Sequence, residues 1–544
     1  MTTTTSAPGK ALLAGGYLVL DPAYPGIVIA ADARFYTTVR PLHQRGKIVV
    51  RSPQFQQGEW TYSVSTEDSL QVEYDAASPG GRNPFVATTL YYALHVALEA
   101  SDDAAARIAD GLEIIIAGDN DYYSQRIDGR ALSLDELRAL EPFRSHSCTI
   151  GEVHKTGLGS SAAMTTSLAS SLLVHLGAAR GDGHQLDTES LALIHNVAQI
   201  AHCAAQGKLG SGFDVSSAVW GSQLYRRFDP SIISGLLEEE AHGPLLPTIS
   251  PRNPLWQPSP KSAADDTAPT AIEGLAAQTY ASDDIYRPPA LVLPPGVRLC
   301  LADVDAGSNT RTLVGSVSTW RKEKPEWAAQ LYRVIGAANQ SLADGLLSLH
   351  VAYANDPATY AAVHAALASM HSAKWDAYRD ENPSHACSAF IDVRNSIRSV
   401  RAGMRELGVQ SGAPVEPPEM TELVSASVDA APGILGGGVP GAGGYDAMYI
   451  LWLPEHPTVQ SPPQGLLDLW STWRDLSVGA LTCEAAEVLP IKTSSAGAFV
   501  TTAEPPAGAS LQNALVHVAA TLRAANGGVR VENAENIPGL SRFL

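Results

Sequence analysis

The chain has 544 residues, too many for one compact core, and its 45% hydrophobic and 17% charged content is that of a folded globular protein. With 37 Lys and Arg against 56 Asp and Glu the net charge is −19, which speaks against a nucleic-acid or anionic-membrane surface, since those need clustered cations. The five cysteines are scattered and never fall in C-x-x-C spacing, so neither a disulfide framework nor a zinc ribbon is indicated.

The N-terminus is threonine-rich, without a basic region leading into an apolar run, and no segment offers about 18 consecutive apolar residues. A cytoplasmic protein with no membrane partner, monomer or homodimer, is the expectation.

Short apolar strands are predicted at 11–14 and 17–20, hinged at Gly15 and Gly16, with Lys10 at the lip of the first. The β pattern continues at 27–31, 35–40 and 48–51, and a helical period takes over at 83–100. A strand at 112–117 leads to the polar run D-N-D-Y-Y-S-Q, residues 119–125.

The chain then reaches H-K-T-G-L-G-S-S-A-A, residues 154–163, a glycine-rich turn opening a predicted helix at 160–176. Several backbone N–H groups at such a turn face one point, which suits a phosphate; the same residues also suit a plain turn in which Gly157 and Gly159 take positive φ and Ser160 caps. The Ala, Ser and Thr content of the helix predicts close packing. A second helix follows, capped by Asp187 or Thr188 and stopped by Gly207. Directly after it, G-K-L-G-S-G-F-D delivers Asp214 from a glycine-flexed loop.

Residues 229–289 shift to Pro, Ala, Ser and acidic composition, read as an insert with only 232–237 structured. A strand is predicted at 291–303, then the polar loop G-S-N-T-R, then long helices at 327–349, 361–378 and 386–407. A break at 409–420 precedes a glycine-rich stretch, 433–446, and a strand at 447–453.

Three motifs in fixed order, A-P-G-K at 7–10, G-L-G-S-S-A at 157–162 and P-G-A-G-G-Y-D at 440–446, resemble the GHMP kinase superfamily. Within it the similarity is greatest to the fungal-type branch acting on 5-phosphomevalonate, through residues 119–125, 207–214 and 440–447. The resemblance implies an α+β fold of two domains, an N-terminal ribosomal-protein-like α/β domain at 1–228 and a C-terminal ferredoxin-like domain at 291–544, with the Pro-rich insert at 229–290 between them. It implies ATP-dependent phosphorylation of 5-phosphomevalonate to 5-diphosphomevalonate, with Mg²⁺, on the mevalonate route to isoprenoids and sterols. Mevalonate kinase or another small-molecule kinase of the superfamily remains a neighbouring reading. A non-catalytic nucleotide sensor is a reading of another class, and the intact Lys10, Asp214 and glycine loop argue against it.

The roles implied residue by residue are as follows. Lys10 and Asp214 are catalytic. Lys155, Gly157, Leu158, Gly159, Ser160, Ser161, Ala162 and Ala163 hold the ATP phosphates, with Ser160 also a Mg²⁺ ligand. Lys208, Ser211, Ser308, Asn309, Thr310, Arg311, Gly441, Ala442, Gly443 and Gly444 lie on the substrate side. Residues 52–55 and 83–84 resemble pieces of the adenine side, although Pro53 and Phe55 equally suit packing. Mevalonate kinase relatives carry a metal-binding glutamate eleven residues before the loop aspartate, and Cys203 stands there in this chain. Because a phosphomonoester is largely dianionic above its second pKa near ~6, the acceptor needs no general base, and Asp214 is cast as an orienting group.

Overall fold

The structure, a computed structural model, describes residues 1–67, 69–127, 129–182, 185–238, 243–258, 285–304, 310–456, 458–486, 491–493, 499–501 and 527–544. Two sheets organise them. The first is built from β1 (Thr3–Ala14), β2 (Gly26–Pro41), β3 (Lys47–Arg51), β4 (Glu59–Ser65), β5 (Gln71–Tyr74), β6 (Leu112–Gly118), β7 (Gln223–Tyr225) and β12 (Arg530–Glu532). Its order is β12-β1-β2-β6-β3-β4-β5, with β7 also on β2; β3 and β6 run parallel and the other pairs antiparallel.

The expected strand at 17–20 is instead a 3₁₀ turn, Leu18–Leu20, entered through Tyr17 at φ 62°. The strands expected at 27–31 and 35–40 are one continuous strand, because β2 is clamped between β1 and β6 along most of its length.

Helices α1 (Pro84–Ala100), α2 (Ser160–His175) and α3 (Thr188–Gln206) pack together beside this sheet. Asn83 caps α1 and Asp187 caps α3, which ends at Gly207 in the left-handed conformation, as its sequence predicts. The small side chains of α2 bring it against β1 and β2 closely enough for direct hydroxyl contacts. Thr5 Oγ1 donates to the Ser167 carbonyl at 3.0 Å, Ser171 Oγ to the Thr37 carbonyl at 2.6 Å, and the Thr37 and Ser167 hydroxyls lie 2.9 Å apart.

The second sheet is antiparallel, in the order β9 (Ile434–Gly438), β10 (Ala447–Trp452), β8 (Arg298–Val304), β11 (Val478–Ala480). Numbered within the sheet this is 2-3-1-4, the ferredoxin-like order. The strand expected from residue 291 starts only at Arg298, since Pro294, Pro295 and Gly296, the last at φ 79°, turn the chain first. Gly436 and Gly437, within the glycine-rich stretch, are interior strand residues: a Cβ on Gly437 would come within 2.4 Å of Ile450 Cδ1, and one on Gly436 within 3.0 Å of Ile397 Cδ1.

Between β8 and β9 run α5 (Thr310–Glu323), α6 (Pro325–Asn355), α7 (His385–Ser411) and α8 (Pro418–Asp429). The helix expected at 361–378 is two, Pro357–Ala368 and Trp375–Glu381, because the fully buried Trp375 folds back to donate its indole N–H to the Met370 carbonyl at 3.2 Å. One continuous apolar core runs from the first sheet and its helices into α6 and α7.

In the insert region a helix covers Ser231–Glu238, and Leu245, Ile249 and Trp256 are buried nearby. Glu99 accepts the Leu245 and Leu246 backbone N–H groups at 2.8 and 2.9 Å, tying that segment to α1. The final strand, β12, returns to β1, and Arg34 donates to the Gly527 and Gly528 carbonyls.

Candidate active site

The first motif is placed by a break in strand register between Pro8 and Lys10. Gly9 fits there because a Cβ would meet the Leu158 carbonyl oxygen at 3.0 Å and Tyr122 Oη at 3.1 Å. The irregularity turns Lys10 toward the glycine loop. Its backbone N–H donates to the Leu158 carbonyl at 2.9 Å and its ammonium to the Gly157 carbonyl at 2.8 Å. Lys10 therefore sits in the middle of β1 rather than at its lip.

Gly157 and Gly159 both take φ 79°, and Gly159 is the N-cap of α2. A Cβ on Gly159 would approach Lys10 Cε to 3.0 Å, so the loop backbone lies directly on the lysine stem. Leu158, Ala162 and Ala163 turn their side chains into the core, and the Ala163 N–H, expected on the ATP phosphates, is spent on the Gly159 carbonyl at 3.1 Å, which leaves the backbone N–H groups of 157–162 as what this stretch can offer an anion. Ser160 opens the helix, and Ser161 Oγ lies 3.1 Å from His202 Nε2. Lys155 is exposed, its backbone bridged to Tyr123, and is not among the cleft-lining residues.

Asp214 enters from the first turn of α4 (Phe213–Trp220), whose N-cap is Gly212 at φ 85°. The Phe213 ring lies 5.5 Å from the Lys10 ammonium. Burial lowers the Lys10 pKa, and the negative charge of Asp214 opposes that fall. Burial likewise lowers that of His202, against the pull of Asp214.

The third motif closes the opposite wall. Gly441 N–H donates to the Leu12 carbonyl at 3.2 Å, Tyr17 Oη to the Ala442 carbonyl at 2.7 Å, and Gly444 N–H to the Val415 carbonyl at 2.9 Å. Gly441, Gly443 and Gly444 have φ of 71°, 74° and 93°.

These pieces enclose a cleft of about 910 Å³ lined by Lys10, Gly157, Gly159, Lys208, Ser211, Asp214, Gly441, Ala442 and Gly443, with Phe85, His202 and Asp446. Of the other expected residues, Ser308 and Asn309 lie outside the described residues, and Thr310 and Arg311 open α5, whose Val314 lines the cleft. Gly444 stands just behind the lining, against Val415. Phe55 is packed between Tyr123 and His146, with ring centroids 5.1 Å from each. Cys203 is buried, with Gln199 Nε2 3.3 Å from its sulfur and the Gly210 backbone also bonded to it, so it supports the loop rather than facing the cleft.

Tyr17 carries a positive φ, which no local signal marks. His202 is a buried helix histidine whose Nε2 meets Ser161, 41 positions earlier, and Gln206, and it lines the cleft from there.

The glycine loop ahead of α2 and the one between β9 and β10 meet in one cleft with a lysine and an aspartate, an arrangement suited to a small-molecule kinase. The phosphomevalonate kinase of Aspergillus fumigatus is 34% identical over 86% of this chain and 91% of its own, and that of Arabidopsis thaliana, named as peroxisomal, 33% over 84% and 91%. The chain belongs to the phosphomevalonate kinase family. No family model matches it. Among solved structures, the Streptococcus pneumoniae phosphomevalonate kinase in complex with phosphomevalonate and AMPPNP is 12% identical, with a TM-score of 0.48, over 86% of this chain and 95% of that one.

Proposed function

We propose that this cleft transfers the γ-phosphoryl group of ATP to the phosphate of 5-phosphomevalonate, giving 5-diphosphomevalonate and ADP. The observation that carries the reading is the Lys10 ammonium, held on the Gly157 carbonyl between the glycine loop and Asp214, in the same cleft as the third glycine loop.

Phosphoryl transfer asks the protein to align two polyanions and neutralise the charge between them. The N–H groups of residues 157–162, at the positive end of α2, take the ATP phosphates. An acceptor phosphate oxygen attacks the γ-phosphorus as the bond to the β-phosphate oxygen breaks, and ADP leaves. That oxygen is already an anion at neutral pH, so no proton has to be removed. Lys10 neutralises charge on the transferring group. Asp214 holds the positive charge of Lys10 against its burial. Lys208, Ser211 and residues 441–444 form the acceptor side.

The donor set fits Mg²⁺, a hard cation that keeps water and substrate phosphates among its ligands and needs only one or two protein oxygens. Ser160 is the proposed protein ligand, and the Asp214 carboxylate supplies charge in the same cleft. Among the described residues there is no group of three or more His, Cys, Asp or Glu placed to hold a metal without substrate. The bound ion would add positive charge between the two phosphate chains.

We place the domains at 1–228 and 291–544 with 229–290 as an insert, the last strand crossing back to the first sheet. Among the described residues no helix is long and apolar enough to cross a membrane. A cytoplasmic monomer or homodimer is the proposed setting.

The test is ADP release with Mg-ATP and 5-phosphomevalonate, mevalonate or no acceptor. Turnover with the phosphate alone is expected; turnover with mevalonate alone moves the chain to the neighbouring kinase activity.

A further inference from the structure

Arg227 follows β7. Its residue is 8% exposed, and its two terminal nitrogens bind backbone: Nη1 donates to the Leu20 carbonyl at 2.8 Å and Nη2 to the Gly210 carbonyl at 2.6 Å. Nε is buried with no partner. Among the described residues no carboxylate lies within ion-pair distance of this guanidinium. The carboxylate that acts on it, Asp21, is itself paired with Arg321 at 2.7 Å.

A buried cation without a counter-ion is costly unless an anion supplies the balance. The two carbonyls that Arg227 holds belong to Leu20 and Gly210, and both residues line the cleft. The neighbouring carbonyl of Ser211 is held in turn by Tyr225 Oη at 2.5 Å. Carbonyl oxygens free to face the cleft would repel a phosphate. Here those of Gly210 and Ser211 are engaged by a cation and a phenol from the β7 segment.

We infer that Arg227 is a positioning residue for the acceptor: it fixes the 208–212 loop that carries Lys208 and Ser211, and its uncompensated charge is balanced by the phosphate group of the bound substrate. This rests on the phosphate-acceptor reading above. The chemistry that satisfies it is a phosphomonoester dianion, and an alcohol acceptor would leave the charge unanswered.

The experiment starts with wild-type turnover of 5-phosphomevalonate, whose absence would overturn the underlying reading and the role with it. KM values for both substrates are then measured in Arg227→Gln, Arg227→Lys and Tyr225→Phe. Arg227→Gln is expected to raise KM for 5-phosphomevalonate at least about tenfold while KM for ATP stays within about twofold. Arg227→Lys, which keeps the charge, holds the acceptor KM within about fivefold, and it decides the matter alone if Arg227→Gln does not fold. Tyr225→Phe releases the Ser211 carbonyl without removing charge, and shifts the acceptor KM by less than about threefold. Equal rises in both KM values, a lysine variant as impaired as the glutamine variant, or a tyrosine variant as impaired as either, would overturn the charge-balancing role.

Discussion

The Lys10 ammonium donates to the Gly157 carbonyl across 147 positions of sequence, and through that bond the first strand and the phosphate loop share one charged group. Burial drives Lys10 toward neutrality and Asp214 holds it charged, so the two residues act unequally. Lys10→Ala removes the charge from the transferring phosphoryl group and is expected to lower kcat by about 10²–10³. Asp214→Asn leaves the lysine in place and is expected to retain more activity than Lys10→Ala. Single-turnover rates at saturating ATP check the order. A wholly inactive Asp214→Asn that still binds nucleotide would count against the orienting role.

Gly441 and Gly443 have nearly the same positive φ, yet their surroundings differ. A Cβ on Gly443 would fall 1.9 Å from the Val415 carbonyl oxygen, whereas one on Gly441 would meet nothing within 4 Å. Gly441→Ala should therefore cost about 1–2 kcal/mol of conformational strain and little else. Gly443→Ala must displace the loop, and kcat/KM for the acceptor is expected to fall at least about tenfold further than in Gly441→Ala. Denaturant unfolding and steady-state kinetics on the pair separate strain from displacement.

Tyr17 stands at φ 62°, a conformation that a side chain larger than glycine adopts at a cost, and its hydroxyl reaches the Ala442 carbonyl at 2.7 Å. Tyr17→Phe removes only that bond between the turn after β1 and the third loop. The expected result is a fall in kcat/KM of about three- to tenfold, with the unfolding midpoint changed by a few degrees at most. Stopped-flow comparison of substrate binding with turnover shows whether the loop is the part affected.

The carboxyl of Asp119 is pushed up to about 7 by burial, with Asp121 and Asp32 adding to the rise and the Arg34 backbone bond opposing it. Its folded value lies above the unfolded value near ~3.9, so the folded state holds this proton the more tightly. The stability so gained is full below about pH 4 and is lost as pH rises through 7. Asp119→Asn stays neutral throughout and can still accept the Arg34 N–H. Relative to wild type, the variant should gain about 2–3 kcal/mol in unfolding free energy between pH 5 and pH 8. A gap that does not widen with pH would show that the carboxyl is ionised in the fold.

Much of the cleft was legible because its parts are local. Gly157 and Gly159 signal a turn and Ser160 a helix start within six residues, and Asp187 and Gly207 bound α3 by capping chemistry alone. What escaped depends on partners far away in sequence. Gly436 and Gly437 look like loop residues until Ile397 and Ile450 are packed over them. Leu18–Leu20 has strand composition, but Tyr17 turns the chain to meet Ala442. Arg227 has no local signature at all, because its meaning lies in two backbone carbonyls, one about two hundred positions away.

Whether the acceptor oxygen belongs to a phosphate is read by ³¹P NMR of one reaction mixture. With Mg-ATP and 5-phosphomevalonate, the acceptor singlet should give way to two mutually coupled phosphorus signals as ADP accumulates, showing a new P–O–P bond. ADP accumulating while the acceptor singlet persists unchanged would show that the acceptor is not this phosphate.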